Sequence, residues 1–165
     1  TGSKVSEVLK GLGFSTVLKT FDVLSPIKTK AEIENLLNGA NFDLVLGHSL
    51  GGFYTFVADV GIKKILINPS LRPEEDLKPV STLDPKILDD FAKLNQEKVS
   101  NIQKTEAKDI FSLFGKRDEL LSHIPLFTEY YGNNYKVLDC THRPDTESLK
   151  LGLSIALQYL GFQDL

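Results

Sequence analysis

The residues Gly47-His48-Ser49-Leu50-Gly51-Gly52 follow directly on the apolar run Phe42-Asp43-Leu44-Val45-Leu46. A serine framed by glycines in this way, after a strand and before a helix, is the pattern that presents a nucleophilic hydroxyl on a sharp, strained turn. The context is met on both sides. The preceding run reads as a strand, and Phe53, Phe56, Val57 and Val60 lie at helical spacing over Leu50 to about Val60. Gly47 and Gly51 are expected to keep Cβ atoms out of the crowded strand–helix junction. The chemistry implied is attack of the Ser49 hydroxyl on an acyl carbonyl, with the Leu50 backbone N–H donating to the oxyanion that forms.

Such a serine needs a base, and the chain holds three histidines, His48, His123 and His142. His48 lies inside the turn, so its side chain should diverge from that of Ser49. His123 has no strand directly before it and reads as a surface or packing residue. His142 follows the alternating run Tyr135-Lys136-Val137-Leu138-Asp139-Cys140 and precedes an amphipathic segment, which puts it on a loop at the carboxyl end of a strand. Open α/β sheets collect their reactive residues on such loops. The partner of the base should be a carboxylate that sets its tautomer and stabilises the imidazolium. Asp118 fits best, because it follows the strand-like Asp109-Ile110-Phe111-Ser112-Leu113-Phe114 through the turn Gly115-Lys116-Arg117. The alternative role for Asp118 is a cap for Glu119-Leu120-Leu121. Glu119 and Asp139 compete as the acid, but Asp139 lies inside the last strand and close to His142 in sequence. Ser49, Asp118 and His142 then occur in the order serine, acid, histidine.

The elements that would position them alternate. Lys4 to Leu12 reads as a helix, Ser15 to Phe21 as a strand, and Lys30 to Leu37 as a helix opened by the capping-box spacing Thr29-Lys30-Ala31-Glu32 and closed by Asn38-Gly39. Lys64 to Asn68 follows as another strand. Short apolar strands alternating with helices predict an α/β fold, a three-layer α/β/α sandwich with a mostly parallel sheet. Right-handed crossovers would place every strand's carboxyl end, and with them Ser49, Asp118 and His142, on one rim. About 71–107 is a small insertion into a single domain spanning 1–165. It is punctuated by Pro73, Pro79 and Pro85, and Asp84-Pro85 starts a helix whose apolar face is Ile87, Leu88, Phe91 and Leu94. The insertion either borders an acyl pocket or covers the sheet. The final helix, about Asp145 to Leu160, carries Leu149, Leu153, Ala156, Leu157 and Leu160 as core positions.

Taken together, these residues resemble the α/β-hydrolase superfamily, and most of all its small bacterial serine esterases with little or no lid. The resemblance runs over nearly all of the chain. It rests on Gly47 to Gly52, the stretch Ile67-Asn68-Pro69-Ser70-Leu71-Arg72-Pro73, the Gly115-Lys116-Arg117-Asp118 turn and the strand-to-His142 loop. It implies that Ser49 is the nucleophile, Asp118 the acid and His142 the base. The Asn-Pro-x-x-Arg-Pro stretch is similar to one in a subgroup of compact esterases. Members of the superfamily normally begin with a strand leading into a His-Gly loop that supplies a second oxyanion donor, and this sequence opens at Thr1-Gly2-Ser3-Lys4 without one. Either that first strand precedes Thr1 in the natural protein or half of the oxyanion site is absent; a sequence without any Met favours the former. One such donor is typically worth ~3–4 kcal/mol in the transition state.

Composition narrows the function classes. With 165 residues the chain can bury the core of one domain, and its 19 basic and 22 acidic side chains are interspersed, leaving a net charge of −3. No electrostatic footprint for nucleic acid or an anionic membrane follows from this. A single Cys140 makes no intrachain disulfide and favours a reducing, cytoplasmic setting. No stretch approaches the ~20 apolar residues of a membrane span. No cluster has zinc-ligand spacing and no phosphate loop occurs, so no metal and no cofactor are expected. Phe53, Tyr54, Phe114, Phe127, Tyr130 and Tyr131 are core residues or pocket walls. The expected function is a cofactor-independent serine esterase or thioesterase acting on a small-molecule substrate. The same residues would serve acyl transfer, and the rival from another class is a hydrolase-fold binding protein with an incomplete oxyanion hole.

Overall fold

The computed structural model of the chain describes residues 1–162. Four strands, β1 (Leu44–His48), β2 (Lys63–Ile67), β3 (Ile110–Gly115) and β4 (Tyr135–Leu138), pair in the order β1-β2-β3-β4, every pair parallel. Among the described residues seven helices accompany them: α1 (Gly2–Gly11), α2 (Pro26–Asn38), α3 (Leu50–Val57), α4 (Pro73–Asp76), α5 (Pro85–Ser100), α6 (Ile124–Tyr131) and α7 (Thr146–Tyr159). A 3₁₀ turn over Lys104–Asp109 leads into β3.

The period-2 alternation of a strand sorts its side chains to two faces. Ile65 and Ile67 of β2 join Phe111, Leu113 and Leu138 in a core closed by Val8 and Leu9 of α1 and by Leu149, Leu153 and Leu157 of α7. Leu66 points the other way, joining Ile110 and Phe114 in a core closed by Phe53, Phe56, Phe91, Leu94, Phe127 and Tyr131 from α3, α5 and α6. Covered on both faces, β3 reads as an almost unbroken apolar run and β2 as one after its two opening lysines, as buried parallel strands do. β1 and β4 are the edges and keep more accessible residues. Because all four strands run the same way, their carboxyl ends share one rim.

The structure revises several sequence boundaries. Ser15 to Phe21 forms no strand, and Val17 and Leu18 are left 68% and 61% exposed. An apolar run becomes a strand only when a neighbour takes its backbone groups, and among the described residues β1 pairs with β2 alone. Helix α2 starts a turn earlier than the capping-box spacing predicts, because Pro26 at its first position presets the backbone. Thr29, the expected cap, instead donates Oγ1–H to the Asp22 carbonyl at 2.6 Å. Helix α3 stops at Val57 rather than near Val60, since Ala58 is extended and the Lys64 ammonium takes the terminal carbonyls of Phe56 and Ala58 at 3.2 and 2.6 Å. β4 ends at Leu138, so Asp139 stands beyond the strand, where it pairs with Arg117 at the surface.

In the insertion, Asp84 caps α5 by accepting from the Lys86 N–H, with Pro85 in the first turn. Phe91 is fully buried, packing edge-on to Phe53 with ring centroids 5.5 Å apart. Helix α5 therefore covers α3. Phe53, Tyr54, Phe114, Phe127 and Tyr131 are likewise core residues, while Tyr130 is partly buried and stacks on Phe56. No helix among the described residues is long and apolar enough to cross a membrane.

Candidate functional site

Ser49 sits between the last residue of β1 and the first of α3, with φ 59° and ψ −120°. A non-glycine residue with positive φ costs roughly 1–3 kcal/mol and persists only where its surroundings over-determine it. They do so here. The Ser49 N–H donates to the Ile67 carbonyl at 3.0 Å, and its own carbonyl accepts from the N–H groups of Ser70 at 3.0 Å and Phe53 at 3.2 Å. Turning this sharply brings the first turn of α3 back onto β1. A Cβ on Gly47 would lie 1.9 Å from the Gly51 carbonyl oxygen, and one on Gly52 would lie 2.8 Å from Pro69 Cβ. Gly51, expected to relieve the same crowding, faces open space, with nothing within 4 Å of its would-be Cβ. The close approaches belong instead to Gly47, where β1 runs against the first turn of α3, and to Gly52, which points about 100° around the helix from Gly51 and meets Pro69.

His142 and Asp118 meet Ser49 on the rim formed by the strands' carboxyl ends. His142 Nε2 lies 3.0 Å from Ser49 Oγ, and His142 Nδ1 lies 2.9 Å from Asp118 Oδ2. The side chains of His142 and Asp118 are each only 4% exposed. With Asp118 ionised the carboxylate accepts the hydrogen bond from Nδ1–H, the tautomer that leaves Nε2 as an acceptor for the serine hydroxyl. Asp118 is not the helix cap of its alternative reading, since 119–123 are not helical; its side chain instead closes a turn of its own loop. Its Oδ1 accepts from the N–H groups of Leu120 and Leu121 at 2.8 and 2.9 Å, so the carboxylate is aimed by its own loop. Glu119 and Asp139 are exposed, and the carboxylate bonded to His142 is that of Asp118. Leu50 opens α3, and a first-turn N–H has no intrahelical acceptor.

The other two histidines are engaged as well. His48 Nε2–H donates to the His142 backbone carbonyl at 2.7 Å, and the two rings lie 4.8 Å apart. Burial holds the His48 imidazole below its ordinary range, against the opposing pull of that bond. His123 immediately precedes α6 and bonds through Nε2 to Asp76 Oδ2 at 2.7 Å; the same oxygen accepts the Ser70 hydroxyl at 2.6 Å. These contacts tie the insertion to the loop after Asp118 and, through the Ser70 N–H, to Ser49.

Asn68 is the residue that motif reasoning undervalued. It occupies on β2 the place that Ser49 occupies on β1, since His48 and Ile67 are register partners, and it too has positive φ, 42°. Buried to 2% exposure, it accepts the Gly115 N–H on Oδ1 at 2.7 Å and donates from Nδ2 to the carbonyls of His142 and Thr141 at 2.9 and 3.3 Å. The signal available in sequence was an asparagine, which tolerates positive φ, between an apolar strand and a proline. Among the described residues no group of three or more His, Cys, Asp or Glu side chains is arranged to hold a metal ion.

A comparison with curated proteins finds no match. The sequence model of the uncharacterised protein family UPF0227 matches residues 24–142, a span that includes Ser49, Asn68, Asp118 and His142, and the chain belongs to that family.

Proposed function

We propose that this chain is a serine hydrolase that cleaves carboxylic ester or thioester bonds of small acyl substrates. The observation that carries the reading is the unbroken hydrogen-bonded series Ser49 Oγ, His142 Nε2, His142 Nδ1, Asp118 Oδ2, at 3.0 and 2.9 Å, on a serine held in a strained turn. The parallel sheet, with reactive groups on the rim of its carboxyl ends, supports the resemblance to α/β-hydrolases.

In this reading Ser49 Oγ attacks the acyl carbonyl carbon as its proton passes to His142 Nε2. Asp118 keeps the imidazole in the right tautomer and stabilises the imidazolium without taking the proton. The carbonyl oxygen becomes an oxyanion beside the Leu50 N–H, at the positive end of the α3 dipole. Collapse of the tetrahedral species expels the alcohol or thiol, which takes the proton from His142. Water, deprotonated by the same nitrogen, then hydrolyses the acyl-Ser49 ester and releases the acid.

The test is labelling with a fluorophosphonate probe, followed by mass mapping. A single adduct on Ser49 is expected, together with loss of nearly all ester turnover, by a factor of up to ~10⁶, in Ser49→Ala, because such residues act as a unit. A folded protein that gains no adduct on Ser49 would overturn the reading.

A further inference from the structure

A base that must meet both Ser49 and Asp118 needs its backbone fixed, because a displacement of ~1 Å at a reacting group can cost about a hundredfold in rate. The backbone carbonyl of His142 accepts two side-chain donors, His48 Nε2–H at 2.7 Å and Asn68 Nδ2–H at 2.9 Å. They arrive from neighbouring strands, His48 ending β1 and Asn68 following β2, so two adjacent strand ends converge on one oxygen of the loop that bears the base. The same Asn68 side chain reaches the loop that bears the acid, its Oδ1 accepting the N–H of Gly115 at the start of the turn to Asp118. Its backbone N–H is anchored to Leu113 at 2.9 Å, so the amide is held from β3 as well.

We propose that Asn68 is a positioning residue: its one buried amide sets the spacing between the His142 loop and the Asp118 turn, with His48 as a second donor to the same carbonyl. This rests on the serine-hydrolase reading for its kinetic consequence, though not for its geometry. The arrangement suits an amide in particular. One end must accept and the other donate, and the backbone must adopt positive φ, which asparagine tolerates better than most residues. Asn68→Asp preserves shape, backbone tolerance and the acceptor for Gly115, but turns a carboxylate oxygen toward the carbonyls of Thr141 and His142. His48→Phe keeps a ring and removes the other donor.

The experiment follows the rate of Ser49 modification by a fluorophosphonate, in which Ser49 Oγ forms the P–O bond, fluoride leaves and His142 receives the proton. Asn68→Asp is expected to lower the saturating rate by about ten- to a hundredfold while the half-saturating probe concentration stays unchanged. With His48→Phe the carbonyl still has Asn68, so the loss is smaller. The double variant has neither donor, and its loss exceeds the product of the single losses. In NMR spectra of the unlabelled protein the His142 Nδ1 proton shifts in Asn68→Asp, whether or not Ser49 turns over any substrate. If Asn68→Asp does not fold, Asn68→Gly, which suits φ 42°, takes its place with the same expectations. A wild-type labelling rate in the folded variant, single losses that simply multiply, or an unmoved His142 proton would each overturn the positioning role. Failure of the wild-type protein to label at Ser49 would instead sink the hydrolase reading, leaving the NMR comparison as the test of Asn68.

Discussion

Two glycines four positions apart in the same motif should respond to alanine with opposite sign. In Gly47→Ala the new methyl would fall 1.9 Å from the Gly51 carbonyl oxygen, 2.3 Å from its carbon and 2.4 Å from Thr55 Oγ1. Real Cβ atoms essentially never come within 3.0 Å of such a neighbour, so β1 and the first turn of α3 must separate by more than an ångström. Neither can yield. The Gly51 carbonyl is held by the Thr55 hydroxyl at 2.9 Å, Phe53 and Phe56 are fully buried beneath α3, and Gly52 already lies against Pro69. Overpacking commonly costs ~1–3 kcal/mol, and a clash with backbone, which no rotamer relieves, belongs at or above the top of that range. Gly51→Ala meets nothing within 4 Å and is not among the glycines at positive φ, so replacing a helical glycine should gain up to ~1 kcal/mol. Urea denaturation of the three proteins, compared at equal m-value, measures both changes. A Gly47→Ala protein within about 1 kcal/mol of wild type, or a Gly51→Ala protein destabilised by more than that, would refute the reasoning from close approach, since either lies outside the range set by overpacking and helix propensity.

Other perturbations separate the roles of individual groups. Asp118→Asn keeps an oxygen for the Leu120 and Leu121 N–H groups but turns an amide toward His142 Nδ1; kcat for an ester should fall by about 10⁴ with the circular dichroism spectrum unchanged, and a loss below tenfold would remove Asp118 from the acid role. Burial pushes the Lys64 ammonium down from 10.5 to about 7, so between these values the folded chain binds fewer protons than the unfolded one and native stability rises with pH. Relative to Lys64→Met, wild-type stability should therefore climb by up to about 5 kcal/mol across that window, and parallel stability curves for the two proteins would contradict it. A panel of p-nitrophenyl and acyl-CoA substrates should show only gradual dependence on acyl length, each methylene being worth ~1–3 kcal/mol; a sharp optimum at long chains would mean that the insertion builds a closed acyl tunnel.

The sequence by itself determined the features that depend on near neighbours along the chain. The apolar run into Gly47-His48-Ser49, the alternation of strands and helices, the Asp84-Pro85 helix start and the serine, acid, histidine order are all local patterns. The elements over 44–48, 63–67, 110–115 and 135–138 appear within a few residues of where those patterns put them. Tertiary structure decided whatever depends on a partner remote in the chain. Ser15 to Phe21 has a strand's composition yet no ladder to join. Gly51 looks like its neighbours in the motif but faces open space, because direction around the helix, not residue type, selects which Cβ would clash. His48, His123 and Asn68 each bond to a group brought close only by folding: the His142 carbonyl, the Asp76 carboxylate and the Gly115 N–H. Hydrogen-bond partners of this kind leave no periodicity in the chain, since the strands that bring them together are separated by whole helices. A parallel sheet is built from long-range contacts, and the rim on which Ser49, Asn68, Asp118 and His142 meet exists only once all four strands are in register.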